Sequence, residues 1–203
     1  KTGLIAAEAA ARIGDVCRTF SPDRKRLAEG LARDGVVVPD LVRQLREAVG
    51  EPHGDAAHKG ATSQDIVDTA LMLRLKRVAR ILEKRLDALV AGLRDLAARD
   101  GAVSLMAHTR MQAALAFTAA DKIETWRAPL ERQAEELRRL GPSIFVVQLG
   151  GPVGTRSGFD GKGDAVAREM AKALGLADAP CWHSERDRIA RFAAWLSLTS
   201  GLL

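Results

Sequence analysis

The chain has 203 residues, 47 % of them apolar and 28 % charged, enough to fill a core and incompatible with a disordered or collagen-like chain. Its 31 Lys and Arg against 26 Asp and Glu leave a net charge of +5 spread along the sequence, and with no Tyr, 3 Trp and 5 Phe there is neither a basic stripe nor a stacking surface, which argues against nucleic acid as a partner. No apolar run approaches the ~18 residues of a membrane helix, and Cys17 and Cys181 fit no metal spacing, so a cytoplasmic protein with buried free thiols and no membrane contact is expected.

Residues from Lys1 to Val49 read as shorter helices, with Ser21-Pro22-Asp23 signalling a helix start at Ser21. From Ile66 the apolar positions Leu71, Leu75, Val78, Leu82, Leu86, Leu89, Leu93 and Leu96 step by four and three between charged residues, which predicts a long amphipathic helix. Thr62 or Ser63 can cap its first amides, Asp65 favours the positive end of its dipole, and Asp100-Gly101 ends it. A second long helix is predicted from about Gln112 to Arg139, with Phe117, Ile123, Leu130, Ala134 and Leu137 on its apolar side, Gly141-Pro142 closing it, and a kink at Pro129. A third begins near Gly163 and carries Val166, Met170 and Leu174 before Gly175; a fourth, from about Glu185, carries Ile189, Phe192, Trp195 and Leu196. The runs Val36 to Val38 and Phe145 to Val147 are too short and isolated for a sheet, so the fold class is all-α. At 1.5 Å per residue, two helices of about 28 to 35 residues would each span roughly 40 to 50 Å, and helices of that length need partners throughout, in an extended bundle or an oligomer. The sequence starts at Lys1 without Met and stops inside the apolar stretch Phe192 to Leu203, so both ends are expected to be cut.

Four polar segments, two of them containing glycine, lie where the helices stop, the places where function tends to sit. His58-Lys59-Gly60-Ala61-Thr62-Ser63-Gln64-Asp65 is either a plain helix start or a carboxylate cradle made of free amides, the Thr62 and Ser63 hydroxyls, and His58 or Lys59. Met106-Ala107-His108-Thr109-Arg110-Met111-Gln112 offers Arg110 as a bidentate carboxylate clamp, or else as a solvated arginine in a surface loop. Gln148-Leu149-Gly150-Gly151-Pro152-Val153-Gly154-Thr155 lets backbone approach backbone or ligand, and matches neither a P-loop nor a dinucleotide fingerprint. Trp182-His183-Ser184-Glu185-Arg186-Asp187 reads locally as a Ser184 or His183 cap on the fourth helix. No nucleophile elbow of the GxSxG type occurs, and His53, His58, His108 and His183 lack paired metal-ligand spacing, so no metal or organic cofactor is expected.

The order of these four segments between long helices resembles the fumarase/aspartase superfamily of lyases. HKGATSQDIVDT, residues 58–69, is similar to its first active-site segment, residues 106–112 sit where its second lies, and QLGGPVGT, residues 148–155, is similar to its glycine-rich stretch. TSQDIVDTALMLRLK, RMQAAL and CWHSERDRIARFAAWL together point to its cycloisomerase branch. The resemblance implies a long-helix bundle divided into residues 1–60, the remainder of an N-terminal helical domain, and 61–203, the first part of a central bundle. It also implies a homotetramer whose sites are shared between subunits, and a small polycarboxylate substrate. In the cycloisomerase branch one carboxylate adds across a double bond to close a lactone; the alternatives are another lyase of the superfamily, such as one that cleaves adenylosuccinate, or an inactive helical assembly fragment. The resemblance makes Arg110, His108 and Ser63 the catalytic candidates, and His58, Lys59, Thr62, Ser63, Thr109, Gln112 and Gln148 the substrate-binding ones.

The eliminating members read Thr-His-x-Gln where this chain has Thr109-Arg110-Met111-Gln112, and Arg is compatible with the cycloisomerase branch. In an extended loop residues i and i+2 point the same way, so His108 is expected to supply a proton beside Arg110. The superfamily's mobile serine loop, of the GSSxMPxKxNP type, does not occur here. The chain is therefore expected to be part of a protein roughly twice as long.

Overall fold

The computed structural model describes residues 1–203 as two compact units, Lys1–Leu73 with Phe145–Arg186, and Arg74–Ile144 with Asp187–Leu203. Seven α-helices, two short 3-10 turns and one β-hairpin make up its regular structure, so the all-α class holds with a small two-stranded addition. No helix is long and apolar enough to cross a membrane.

In the first unit, α1 (Ala7–Thr19), α2 (Arg24–Asp34) and α3 (Val38–Val49) form the short-helix region read from the sequence. The start of α2 falls at Asp23 rather than Ser21. The Asp23 carboxylate accepts the amides of Lys25 at 2.8 Å and Arg26 at 3.2 Å, satisfying two orphan donors at once. A tertiary tie holds it there: the Asp23 amide donates to Gln44 Oε1 at 2.7 Å, and Gln44 Nε2 donates back to the Asp23 carbonyl at 3.2 Å. A Cβ on Gly30 of α2 would stand 2.6 Å from the Asp40 Cβ of α3, so only glycine permits this approach. The unit also holds the start of α4 (Ser63–Asp100) and α6 (Gly163–Leu174), which ends at the left-handed Gly175 as its sequence indicates. Leu149, Phe159 and Ala167 form a buried cluster against which Leu4, Ala61, Val166 and Met170 pack. The run at 145–147 makes one parallel bridge, Val146 to Ala177.

In the second unit, α4 continues to Asp100, the expected end. It is followed by β1 (Ser104–Thr109), β2 (Gln112–Thr118), α5 (Ala119–Ile144) and α7 (Asp187–Ser200). Residues 112–118 were expected to be helical and are a strand, paired antiparallel from Ser104↔Thr118 to Thr109↔Gln112. Propensity favours helix for QAALAFT, but pairing with 104–109 overrides it, and a capping box resets the start of the helix. The Thr118 amide and hydroxyl donate to Asp121 Oδ2 at 2.8 and 2.7 Å, and the Asp121 amide donates to Thr118 Oγ1 at 3.2 Å. Likewise α5 runs past Gly141-Pro142 to Ile144, and in its last turn Ser143 Oγ donates to the Leu140 carbonyl at 2.9 Å.

Arg138 of α5 donates to Glu83 at 2.7 Å and Asp87 at 2.5 Å, tying α5 to α4, and Trp195 Nε1 of α7 donates to the Gln133 carbonyl at 2.9 Å. Much apolar surface stays uncovered in this unit: Val78, Ile81 and Leu89 on α4, Met106, Met111 and Leu115 on the hairpin, and Leu198 on α7.

Candidate active site

The first unit gathers three of the four polar segments around the N-terminus of α4. The chain enters through His58 and Gly60, both left-handed at φ 65° and 75°, and Arg46 holds the preceding turn by donating to the Ala57 carbonyl at 3.2 and 3.1 Å. A Cβ on Gly60 would stand 2.5 Å from the Gly158 carbonyl oxygen, and one on Gly151 2.7 Å from the Gly60 oxygen. The loop before α4 and the glycine-rich segment therefore meet backbone to backbone.

Asp65 joins them. Its fully buried carboxylate accepts four N–H donors: Gln148 Nε2 at 2.9 Å and the Gly150 amide at 2.8 Å on Oδ1, the Thr62 amide at 2.9 Å and the Gly151 amide at 3.0 Å on Oδ2. The bond to Thr62 is the return arm of a capping box, and the other three reach across more than eighty residues of sequence. A carboxylate so saturated with donors has its lone pairs satisfied without a cation beside it.

Gln148, expected to bind substrate, is turned inward and wholly buried. Its Nε2 donates to Asp65 and, at 3.2 Å, to Cys181 Sγ, while Oε1 accepts the Trp182 amide at 2.8 Å and its backbone is held by Thr69 Oγ1 at 3.0 Å. The carboxamide is fully committed within the protein, so it supports the loop rather than reaching out of it. Lys59 is engaged by Asp160 at 2.9 Å and the Leu4 carbonyl at 3.3 Å. The Thr62 and Ser63 hydroxyls have no hydrogen-bond partner in the chain and stand half-exposed at the helix N-terminus, as an anion cradle requires.

His58 borders a cavity of about 650 Å³ lined by Leu4, Ile5, Ala10, Lys59 and Phe159. Its buried Nε2 lacks a hydrogen-bond partner. Burial, opposed by a hydrogen bond to the Thr62 backbone, pushes the imidazole below its ordinary value and keeps it neutral.

The fourth segment braces the same helix. Arg186 makes a bidentate pair with buried Asp68 of α4, at 2.7 and 3.0 Å, and lies over the Trp182 ring at 5.5 Å. The Trp182 indole donates to the Val147 carbonyl at 3.0 Å. Because α7 begins at Asp187, neither His183 nor Ser184 caps it.

The second segment belongs to the hairpin of the second unit, where His108, Thr109, Arg110 and Gln112 are all exposed. Arg110 and Met111 form a two-residue turn with φ of 45° and 62°, the left-handed pair that matches the twist of a hairpin. The period-two argument holds only in extended backbone, so it does not carry His108 to the side of Arg110. Thr109 and Gln112 pair across the turn and His108 pairs with Ala113. The turn holds Arg110 at an exposed tip.

Sequence reading missed Asp65 as a hub, although the spacing Thr62-x-x-Asp65 is a capping-box signal. The Asp68–Arg186 pair had no local signal at all.

Long helices whose polar, glycine-rich loops converge on one helix N-terminus define an α-helical scaffold able to seat a carboxylate. The sequence matches the lyase family along residues 1–203, and the chain belongs to that family. It is 36 % identical to a 3-carboxy-cis,cis-muconate cycloisomerase from Pseudomonas aeruginosa over 100 % of its own length and 45 % of the relative's. Among solved structures, a fumarate lyase from Mesorhizobium sp. BNC1 superposes with a TM-score of 0.93 at 34 % identity, over 98 % of this chain and 47 % of that one. The 3-carboxy-cis,cis-muconate lactonizing enzyme from Pseudomonas putida gives 0.90 at 32 % identity, over 99 % and 47 %. The chain thus spans about 45 % of the length of the curated relative it matches.

Proposed function

We propose that the protein of which this chain is part is a cytoplasmic cycloisomerase that converts 3-carboxy-cis,cis-muconate to 4-carboxymuconolactone, a step of aromatic catabolism. The observation that carries this reading is the likeness, along the whole chain, to relatives named for that reaction. A carboxylate oxygen of the substrate bonds to an alkene carbon, the double bond's electrons pass into the adjacent carboxylate as an enolate-like dianion, and a proton is then delivered to the neighbouring carbon. The reaction needs donors fixed where charge develops, each worth ~3 to 4 kcal/mol of barrier, and calls for no metal or organic cofactor.

Arg110 binds the carboxylate that takes up the charge, Thr109 and Gln112 flank it, and His108 is the candidate proton donor. Thr62, Ser63 and the first amides of α4 hold a second carboxylate, with His58 and Lys59 beside them. Gln148 and Asp65 keep that cradle in shape from behind. Residues 1–60 are the remainder of an N-terminal domain and 61–203 the first part of a central bundle. The uncovered apolar faces of α4, α7 and the hairpin support a homotetramer in which the hairpin of one subunit serves the cradle of another.

A second reading, elimination by another lyase of the superfamily, is favoured by the superposition on a fumarate lyase. In full-length protein, Arg110→Ala and Ser63→Ala are each expected to slow loss of the muconate diene at least a hundredfold, roughly the cost of one lost donor. Retained turnover in both variants would remove these residues from the site.

A further inference from the structure

The even spread of charge read from the sequence needs correcting, because the excess of cations collects on one helix. Residues 74–85 of α4 hold six cations, Arg74, Lys76, Arg77, Arg80, Lys84 and Arg85, against the single acid Glu83, a balance equal to the +5 of the whole chain. Lys76 apart, all of these cations are exposed, and their side chains make no ion pair or hydrogen bond within the chain. Arg74, Arg77, Arg80 and Lys84 follow at spacings of three, three and four, so each meets another cation along the helix surface, a repulsion that only an outside anion relieves. The nearby acids are engaged, since Arg138 of α5 takes Glu83 at 2.7 Å and Asp87 at 2.5 Å. Apolar surface stands open among the cations. Ile81 is 52 % exposed and lies one helical turn from Arg77, Lys84 and Arg85, and Val78 beside it is 43 % exposed.

We propose that this stripe, roughly 17 Å long at 1.5 Å per residue, docks an acidic amphipathic α-helix from the part of the full-length protein outside residues 1–203, in the same or a neighbouring subunit. The proposal rests on the reading of this chain as part of a longer protein, of which it spans 45 % in the curated relative. A helix with Asp or Glu flanking a short apolar seam pairs with the ring of cations and covers Val78 and Ile81 at once. A phosphate backbone would leave those two side chains in water, and a membrane surface calls for a broader apolar face than two residues. A second copy of residues 1–203 lacks the complementary stripe, because on α5 Glu124, Glu131 and Glu136 are already paired with Arg127, Arg94 and Arg139.

The test treats the full-length protein with a water-soluble carbodiimide, which joins an ammonium to a carboxylate in contact with it, and reads the products by peptide mass spectrometry. Lys84 should couple to an Asp or Glu outside residues 1–203. In parallel the lysines are acetylated with an N-hydroxysuccinimide ester, with exposed Lys25 of α2 as the internal control. Lys84 should react about tenfold more slowly than Lys25 in the native protein, the protection given by one charge-assisted hydrogen bond, and equally fast in urea. Arg77→Glu sets a like charge against the partner's acids and should bring Lys84 up to the Lys25 rate with the circular dichroism spectrum unchanged. Native Lys84 reacting as fast as Lys25, or coupling solely to acids within residues 1–203, would overturn the proposal. So would protection of Lys84 that appears only when RNA or phosphatidylglycerol vesicles are added, since the occupant would then be a polyanion. No readout needs turnover, so a protected Lys84 in a protein inactive on muconate would count against the functional reading alone.

Discussion

Replacing Asp65 by Asn tests the junction on which the candidate site rests. The carboxylate accepts two N–H groups on each oxygen, three of the bonds buried and the one from the Thr62 amide part-buried. An asparagine keeps one oxygen and turns an NH2 toward the other pair of donors. If the oxygen stays with Gln148 Nε2 and the Gly150 amide, the Thr62 and Gly151 amides lose their acceptor and face a donor instead. Each orphaned buried amide costs about 1 to 3 kcal/mol, so the variant should lose about 4 kcal/mol. That is a large part of the ~5 to 15 kcal/mol typical of a folded domain. At ~2 to 4 °C per kcal/mol for a chain of this size, the thermal midpoint should fall by about 8 to 16 °C. Thermal unfolding followed by far-ultraviolet circular dichroism reads this directly, and hydrogen exchange should show loss of protection concentrated at Thr62 and Gly151. A variant within about 1 kcal/mol of the parent would refute the argument that this carboxylate holds the loops together.

His58 should make the fold acid-sensitive. Burial lowers its folded pKa below the ordinary 6.5, so the unfolded chain takes up the proton first as pH falls. Stability should therefore decline as pH drops through about 6.5 and level off below the folded value, and His58→Gln should flatten this slope in urea midpoints measured against pH. Arg186→Met leaves the Asp68 carboxylate buried without its bidentate partner. It should cost roughly 2 kcal/mol by chemical denaturation, less than the 3 to 5 of a fully buried pair because Arg186 itself is half in solvent. Met111 is a non-glycine residue at φ 62° and almost fully exposed, so Met111→Gly should stabilise the hairpin by about 0.5 to 1 kcal/mol, and a lower thermal midpoint would contradict the turn assignment.

Periodicity revealed what depends on burial along one helix face. The apolar spacing from Leu71 to Leu96 and the stop at Asp100-Gly101 placed α4, and Gly175 placed the end of α6. Residues 112–118 defeated that reading because alanine-rich segments favour helix when isolated, and only cross-strand pairing with 104–109 makes them a strand. The Thr118-x-x-Asp121 capping box was the available signal for the true start of α5. At the site, the local chemistry of Thr62 and Ser63 was legible because a helix N-terminus announces itself in sequence. The inward turn of Gln148 was not, since its partners Asp65, Cys181 and Trp182 lie 83, 33 and 34 residues away. Asp65 looked like a dipole-stabilising acid for the same reason: three of its four donors belong to a distant segment.

The decisive measurement offers the full-length protein 3-carboxy-cis,cis-muconate and adenylosuccinate side by side, following the diene by ultraviolet absorbance and fumarate release by chromatography. Loss of the diene with formation of 4-carboxymuconolactone, no fumarate, and loss of the activity in Arg110→Ala are expected. Fumarate release with the muconate left untouched would contradict it and move the protein to the eliminating lyases.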